Sequence, residues 1–435
     1  MSNHDLIRGA PSARLRSAAA ILLFGACLVS AVPSRGQTVS VDTVPSFGVL
    51  GSITGSVTGV SNATHRVAAY IYIEGSGWWT KPYSAFPTVS ISPSGHFVVN
   101  VGTGGLNSLD GNAVIFCAYL YPAGVSPTVV LGSGELPLTP VPIASGCKTR
   151  YGKTLSFAGR TWGVKEAPQP VGPGPNVFSR DDVWVDSEGL HLRISYRGGR
   201  WWSSEAVLLD ELGYGVYRVE TESRLDTLDV GATFGLFTWD PRGGETRIPA
   251  APNREIDFED SKWGSLAEPT TSQTVIQPWQ LVQNLRRYSL PDLSTDARLT
   301  RFVWWTPERI RFRTLKGSVS PFYAFSPTTD VIDAHDYEAG ATPDHIVPTP
   351  GHAQFRANLW LNSGASFPLP ANGQTIEIVI TDFEFVPEPK QSVLLIAGVV
   401  GVGAFGSLGR RRPLWLVAIG VRPRPISLRC VHSSL

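Results

Sequence analysis

Residues 255–259, Glu-Ile-Asp-Phe-Glu, alternate carboxylate and apolar side chains. That is the period of a β-strand, on which successive side chains point to opposite faces. Glu255, Asp257 and Glu259 therefore share one face, while Ile256 and Phe258 point the other way, as core residues would. Three like charges side by side destabilise a strand unless their surroundings raise a pKa or a ligand uses them. Acid–base chemistry is the usual reason to tolerate them; the alternative is an exposed strand face that happens to be acidic.

The rest of the chain supplies a β-rich setting for such a strand. Its 435 residues exceed one typical domain, so two are the starting expectation. Gly 44 and Pro 34, with frequent Val, Thr, Tyr and Trp, point to an all-β protein with many turns. A net charge of +1 gives no reason to expect a nucleic-acid partner.

Residues 1–37 read as a secretory signal peptide. Arg14 and Arg16 precede the apolar run 18–26, and small and polar residues follow. Its removal takes Cys27 away; with Cys430 beyond the expected C-terminal processing point, Cys117 and Cys147 remain in an oxidising compartment, where they are expected to pair. Residues 38–147 read as a small β-sandwich of short strands, clearest at 67–73 and 113–120. Its Gly77-Trp-Trp-Thr-Lys-Pro-Tyr83 stretch offers aromatics that either stack on sugar rings or split between core and surface, as strand neighbours do. The Pro-rich passage 136–142 is a linker or domain edge, and a second domain spans 150–386. Within it, Arg309, Arg311 and Arg313 share a face that reads as solvated. Residues 317–352 read as a long loop bordering a cleft, and its Asp333, His335, Asp336, His345 and His352 have no zinc-site spacing.

Glu255-Ile-Asp-Phe-Glu259 resembles the E-x-D-x-E signature of glycoside hydrolase family 16. The flanks agree: Gly235-Leu-Phe-Thr-Trp-Asp240 is similar to the strand before the signature, and Phe355-Arg-Ala-Asn-Leu-Trp-Leu361 to a late Asn-Leu-Trp strand. Gly172-Pro-Gly-Pro-Asn176, Ser204-Glu-Ala-Val207 and Tyr214-Gly-Val-Tyr217 also fit, so the likeness covers roughly residues 150–386.

That resemblance implies a concanavalin A-like jelly-roll β-sandwich, preceded by the smaller β-sandwich. It implies a secreted endo-acting hydrolase of β-1,3 or mixed-linkage β-glucan. Glu255 would be the nucleophile, Glu259 the acid/base and Asp257 the residue that holds and polarises the nucleophile. Trp239, Trp263, Asn358 and Trp360 would line the substrate cleft, the tryptophans because flat apolar rings match sugar faces. No cofactor and no catalytic metal are expected; a structural calcium stays open. A transglycosylase using the same residues, and a non-catalytic surface polysaccharide-binding protein, are the alternatives. One spacing is awkward. Residues four apart on a straight strand lie about 13 Å apart, whereas retaining carboxyl pairs stand about 5–5.5 Å apart.

The C-terminal part, 387–412, joins Val386-Pro-Glu-Pro389, an apolar run over 392–408 and Arg410-Arg-Arg412. An apolar run of that length is near the lower limit for a membrane span, with the arginines on the cytoplasmic side. The three parts resemble the PEP-CTERM sorting signal of exopolysaccharide-producing Gram-negative bacteria, which implies an exosortase partner and a cell-surface or extracellular location. An ordinary membrane anchor is the alternative. The atypical tail 413–435 continues past the basic cluster where such signals end.

Overall fold

The computed structural model describes residues 36–106, 108–320, 330–362 and 370–388. The expected export segment, sorting segment and C-terminal tail lie almost wholly outside these residues. Among the described residues there are strands and short 3-10 turns but no α-helix, so none is long and apolar enough to cross a membrane.

The chain divides into two compact units. The first holds the described residues up to Thr154 together with Gly163–Arg180 and Pro241–Gly244. Two segments that a linear boundary near 150 assigns to the second domain thus fold with the first. Gly172-Pro-Gly-Pro-Asn176, counted above towards the family likeness, lies in one of them.

In the first unit a three-stranded sheet (Thr38–Thr43, Ser52–Thr58, His96–Asn100) and a six-stranded one enclose a core of Val39, Ile53, Val67, Ile71, Phe97 and Phe116. Cys117 on Ala113–Pro122 faces Cys147 on Ala144–Thr149 in register, and the structure joins them by a disulfide. Trp78 is fully buried and its indole N–H donates to the Pro241 carbonyl at 2.7 Å, while Trp79 is half-buried against the core. The Trp78 ring is therefore core and is not a sugar platform.

The second unit is a jelly-roll sandwich of two eight-stranded antiparallel sheets. One runs, edge to edge, through Thr154–Phe157, Arg160–Val164, Ser204–Leu208, Gln354–Leu361, Ala232–Trp239, Ile256–Ser261, Ser272–Ile276 and Leu285–Tyr288. The other runs through Val183–Val185, Leu190–Arg197, Ile376–Pro387, Gly215–Glu222, Arg298–Trp305, Arg309–Lys316 and Val331–Glu338, with Arg200–Trp202 paired beside Leu190–Arg197. Alternation along each strand sends one set of apolar side chains between the sheets. Phe258 meets Phe312 edge-on at 5.2 Å, Trp162 meets Phe383 at 5.3 Å and Tyr217 stacks on Phe355 at 5.8 Å. Edge-to-face and stacked aromatic pairs of this kind add to plain burial.

The expected long loop at 317–352 is corrected: Val331–Glu338 is a strand paired with Arg309–Lys316. Its charges hid the strand from a reading by hydrophobic alternation, and each has found a partner. Arg286 holds Asp333, and Arg313 meets Asp336 at 2.5 Å. Arg309, Arg311 and Arg313 are correspondingly half-buried against Asp336 and Glu338 rather than freely solvated. Among the described residues no group of His, Cys, Asp and Glu is placed to hold a metal.

Candidate active site

Ile256–Ser261 is flanked by Ala232–Trp239 and Ser272–Ile276, both antiparallel to it. Phe258 and Asp260 point between the sheets, so Asp257 and Glu259 project from the opposite, outward face. Glu255 lies one residue before the strand and shares a hydrogen bond with Asp257. A bond between two carboxyls requires a proton on one of them. Asp257 is buried, and Glu255 and Glu259 are half-buried.

All three carboxyls are pushed above the usual carboxylate range. Burial is the largest cause for each, because an apolar setting penalises the charged form. The Glu259 charge pushes Glu255 further up, and Glu255 and Glu259 do the same to Asp257. Opposing these, Arg356 draws Glu255 down and Arg287 draws Glu259 down. The group thus titrates as one unit that holds protons towards neutral pH.

Two glutamines the sequence reading passed over clamp the carboxylates. Gln273 donates to Glu259 at 2.7 Å, and Gln277 donates to Asp257 at 3.0 Å. Gln273 lies on Ser272–Ile276 and Gln277 directly follows it, and their spacing of four puts both on one face. Gln277 is itself fixed, its amide oxygen accepting from the Trp279 N–H at 3.0 Å.

Level with Glu259 across the sheet stand Gly235, Asn358 and Glu205 on one side, and Gln273 and Arg287 on the other. Glycine at 235 makes room for the amide: a Cβ there would lie 2.5 Å from Asn358 Oδ1. Asn358 Oδ1 and Gln273 Oε1 are buried acceptors with no hydrogen-bond partner among the described residues. Glu205 and Arg356, also outside the expected set, form a buried ion pair of 2.8 Å on this face.

The expected tryptophans divide between the two ends of this row. Trp239 stands two residues past Phe237, which is level with Asp257, and so lies at the Glu255 end. Trp360 is level with Thr233 and Ser261, beyond Glu259, on the same face as Asn358. Trp263 follows at that second end with a left-handed backbone (φ 51°), and the Arg287 guanidinium lies 5.9 Å from its ring centre. All three tryptophans are half-buried, leaving ring surface open to a ligand.

No protein-family description matches the chain, and no curated protein matches it. Solved structures do. A glycoside hydrolase family 16 endo-glucanase from Bacteroides ovatus is 11% identical, with a match spanning 52% of this chain and 94% of that one and a TM-score of 0.36. A pseudo β-1,3-glucanase of Mycobacterium tuberculosis is 18% identical over 52% and 91% of the two chains, with a TM-score of 0.38. A laminarinase from Flavobacterium sp. UMI-01 is 15% identical over 52% and 92%, with a TM-score of 0.34.

Proposed function

We propose that the second unit is a retaining endo-β-glycan hydrolase acting on β-1,3 or mixed-linkage glucan. One observation carries the reading: Glu255, Asp257 and Glu259 gather on one outward sheet face, the first two joined by a hydrogen bond, and each is pushed up in pKa. A binding face has no need of such a group, whereas glycoside cleavage needs a carboxylate and a carboxylic acid side by side.

In this reading the Glu255 carboxylate attacks the anomeric carbon as Glu259 gives its proton to the departing glycosidic oxygen. The glycosyl–Glu255 ester is then cleaved by water, with Glu259 taking the water's proton back. Asp257 holds the Glu255 carboxyl through their shared hydrogen bond, while burial and the Asp260 charge discourage ionisation of Glu259 before the leaving oxygen needs the proton. Arg356 favours the ionised form of Glu255, as a nucleophile requires. Asn358 Oδ1 and Gln273 Oε1 supply acceptors for sugar hydroxyls beside Glu259, and Trp239, Trp360 and Trp263 supply apolar ring surface at the two ends of the row.

The same reading places the mature protein outside the cytoplasm, released or held at the surface after processing near residue 389. Intact-mass measurement of protein from its native host tests that part. Turnover of a panel of β-glucans, agars and carrageenans tests the activity. Glu255→Gln and Glu259→Gln are expected to lose nearly all turnover, with Glu259→Gln sparing substrates whose leaving group needs no proton. A folded wild-type protein inactive across the panel would overturn the reading.

A further inference from the structure

Glu255 is not positioned by the strand that carries Asp257 and Glu259. It precedes that strand, and the residue before it, Arg254, has a left-handed backbone with φ of 59°. A long side chain with Cβ adopts that conformation only when its surroundings impose it. The surroundings here are specific. The Thr238 hydroxyl donates to the Arg254 carbonyl at 2.8 Å and accepts from the Ile256 N–H at 3.2 Å. One buried hydroxyl therefore ties down the peptide groups on both sides of Glu255. The Glu255 carbonyl is held from the other neighbour by the Gln277 N–H at 3.1 Å.

The Arg254 side chain closes the arrangement. Its Nη1 meets Asp240 at 2.8 Å in a buried ion pair, and Asp240 also accepts from the His352 N–H at 2.9 Å. A Cβ at Gly351 would come within 2.4 Å of Arg254 Nε, so the passing chain fits closely against the guanidinium. Bonds from three separate segments, Thr238–Asp240, Gln277 and Thr349, thus converge on a single three-residue stretch, 254–256.

We infer that Thr238 is a positioning residue for Glu255, and that the Arg254–Asp240 pair holds the left-handed turn through which the chain enters Glu255. The inference rests on the proposed role of Glu255 as nucleophile.

Thr238→Val keeps the side-chain shape and removes both hydrogen bonds; Thr238→Ser keeps the hydroxyl. Thr238→Val is expected to lower kcat about 10- to 100-fold with KM within about twofold, because a misplacement near 1 Å has that effect on reacting groups. Thr238→Ser should stay within about threefold of wild type. Arg254→Gly, which relaxes the backbone but removes the ion pair, should also lose kcat with KM kept. A second readout needs no activity: the Ile256 amide should exchange at least about tenfold faster in Thr238→Val than in wild type or Thr238→Ser. Wild-type kcat in Thr238→Val, or equal losses in the valine and serine variants, would overturn the inference. If the wild-type protein proves inactive on all glycans, the hydrolase reading fails separately. Unchanged Ile256 exchange in the valine variant would then show that the hydroxyl holds nothing.

Discussion

Asp260 and Arg301 form an ion pair of 2.7 Å in the space between the two sheets, immediately behind Glu259. Their side chains are 1% and 2% exposed, and Ser272 adds a hydrogen bond to Asp260 at 2.6 Å. Burial pushes the Asp260 carboxyl up, while Arg301 and Ser272 draw it back. Removing one partner of a buried pair leaves a charge with no counter-ion, which costs about 3–5 kcal/mol. Asp260→Asn should therefore be strongly destabilised in urea melts, and the apolar double variant Asp260→Leu with Arg301→Met should recover most of the loss.

The Asp260 charge also pushes Glu259 up from the opposite side of the sheet. The other groups acting on Glu259 are Gln273 and Arg287, which draw it down, and burial, which outweighs them. Asp260→Asn leaves Arg301 uncompensated, so Glu259 should lose its proton at lower pH. The alkaline limb of kcat/KM should move to lower pH, as read from a pH–rate profile; an unmoved limb would dismiss the coupling.

His191 provides a separate pH dependence. Burial pulls its pKa down, but bonds to Glu377 and Asp186, each 2.9 Å, outweigh that and leave it raised. The ring also stacks on Trp184 at 4.6 Å. A base raised above its unfolded value of about 6.5 stabilises the fold fully below that pH and loses the contribution as pH climbs through the folded value. The melting-temperature difference between wild type and His191→Phe should be largest below pH about 6.5 and shrink towards alkaline pH.

The acidic group makes the same sign by the opposite route. Acids held protonated in the fold ionise more readily when unfolded, so the folded state loses stability as pH rises from about 4.3 to the raised values. Glu255→Gln should therefore melt higher than wild type above pH about 8, by about 1–2 kcal/mol. At pH about 3, well below the unfolded value of about 4.3, both states are protonated and the two should converge.

Gly235 sets the room beside Asn358. Gly235→Ala would place a methyl 2.5 Å from Asn358 Oδ1, so the amide must swing away. The expected result is weaker glycan binding, with KM raised about tenfold and the fold kept, since the alanine methyl points outward rather than into the core. Calorimetry with a β-glucan oligosaccharide checks this.

Much of this was readable in the chain because period two is a strong signal. The alternation at 255–259 gave the strand, its buried face and its acidic face, and Cys117 and Cys147 were the cysteines left for a disulfide after export. What was hidden depended on contacts far apart in sequence. Asp260, directly after the acidic run, is a core ion pair only through Arg301, 41 residues on. The strand at Val331–Glu338 carried charges where alternation asks for apolar residues, and only its partners Arg286 and Arg313 show why. The left-handed Arg254 had no signal at its own position, which holds neither Gly nor Asn.

The most direct test is the anomeric configuration of the first product. Proton NMR during hydrolysis of a β-glucan by wild-type protein should show the β-anomer first, with the α-anomer growing only at the rate of mutarotation. That outcome requires a covalent intermediate on a carboxylate within reach of the acid, as proposed for Glu255 and Glu259. Initial release of the α-anomer would mean that water attacks directly and Glu255 is not the nucleophile.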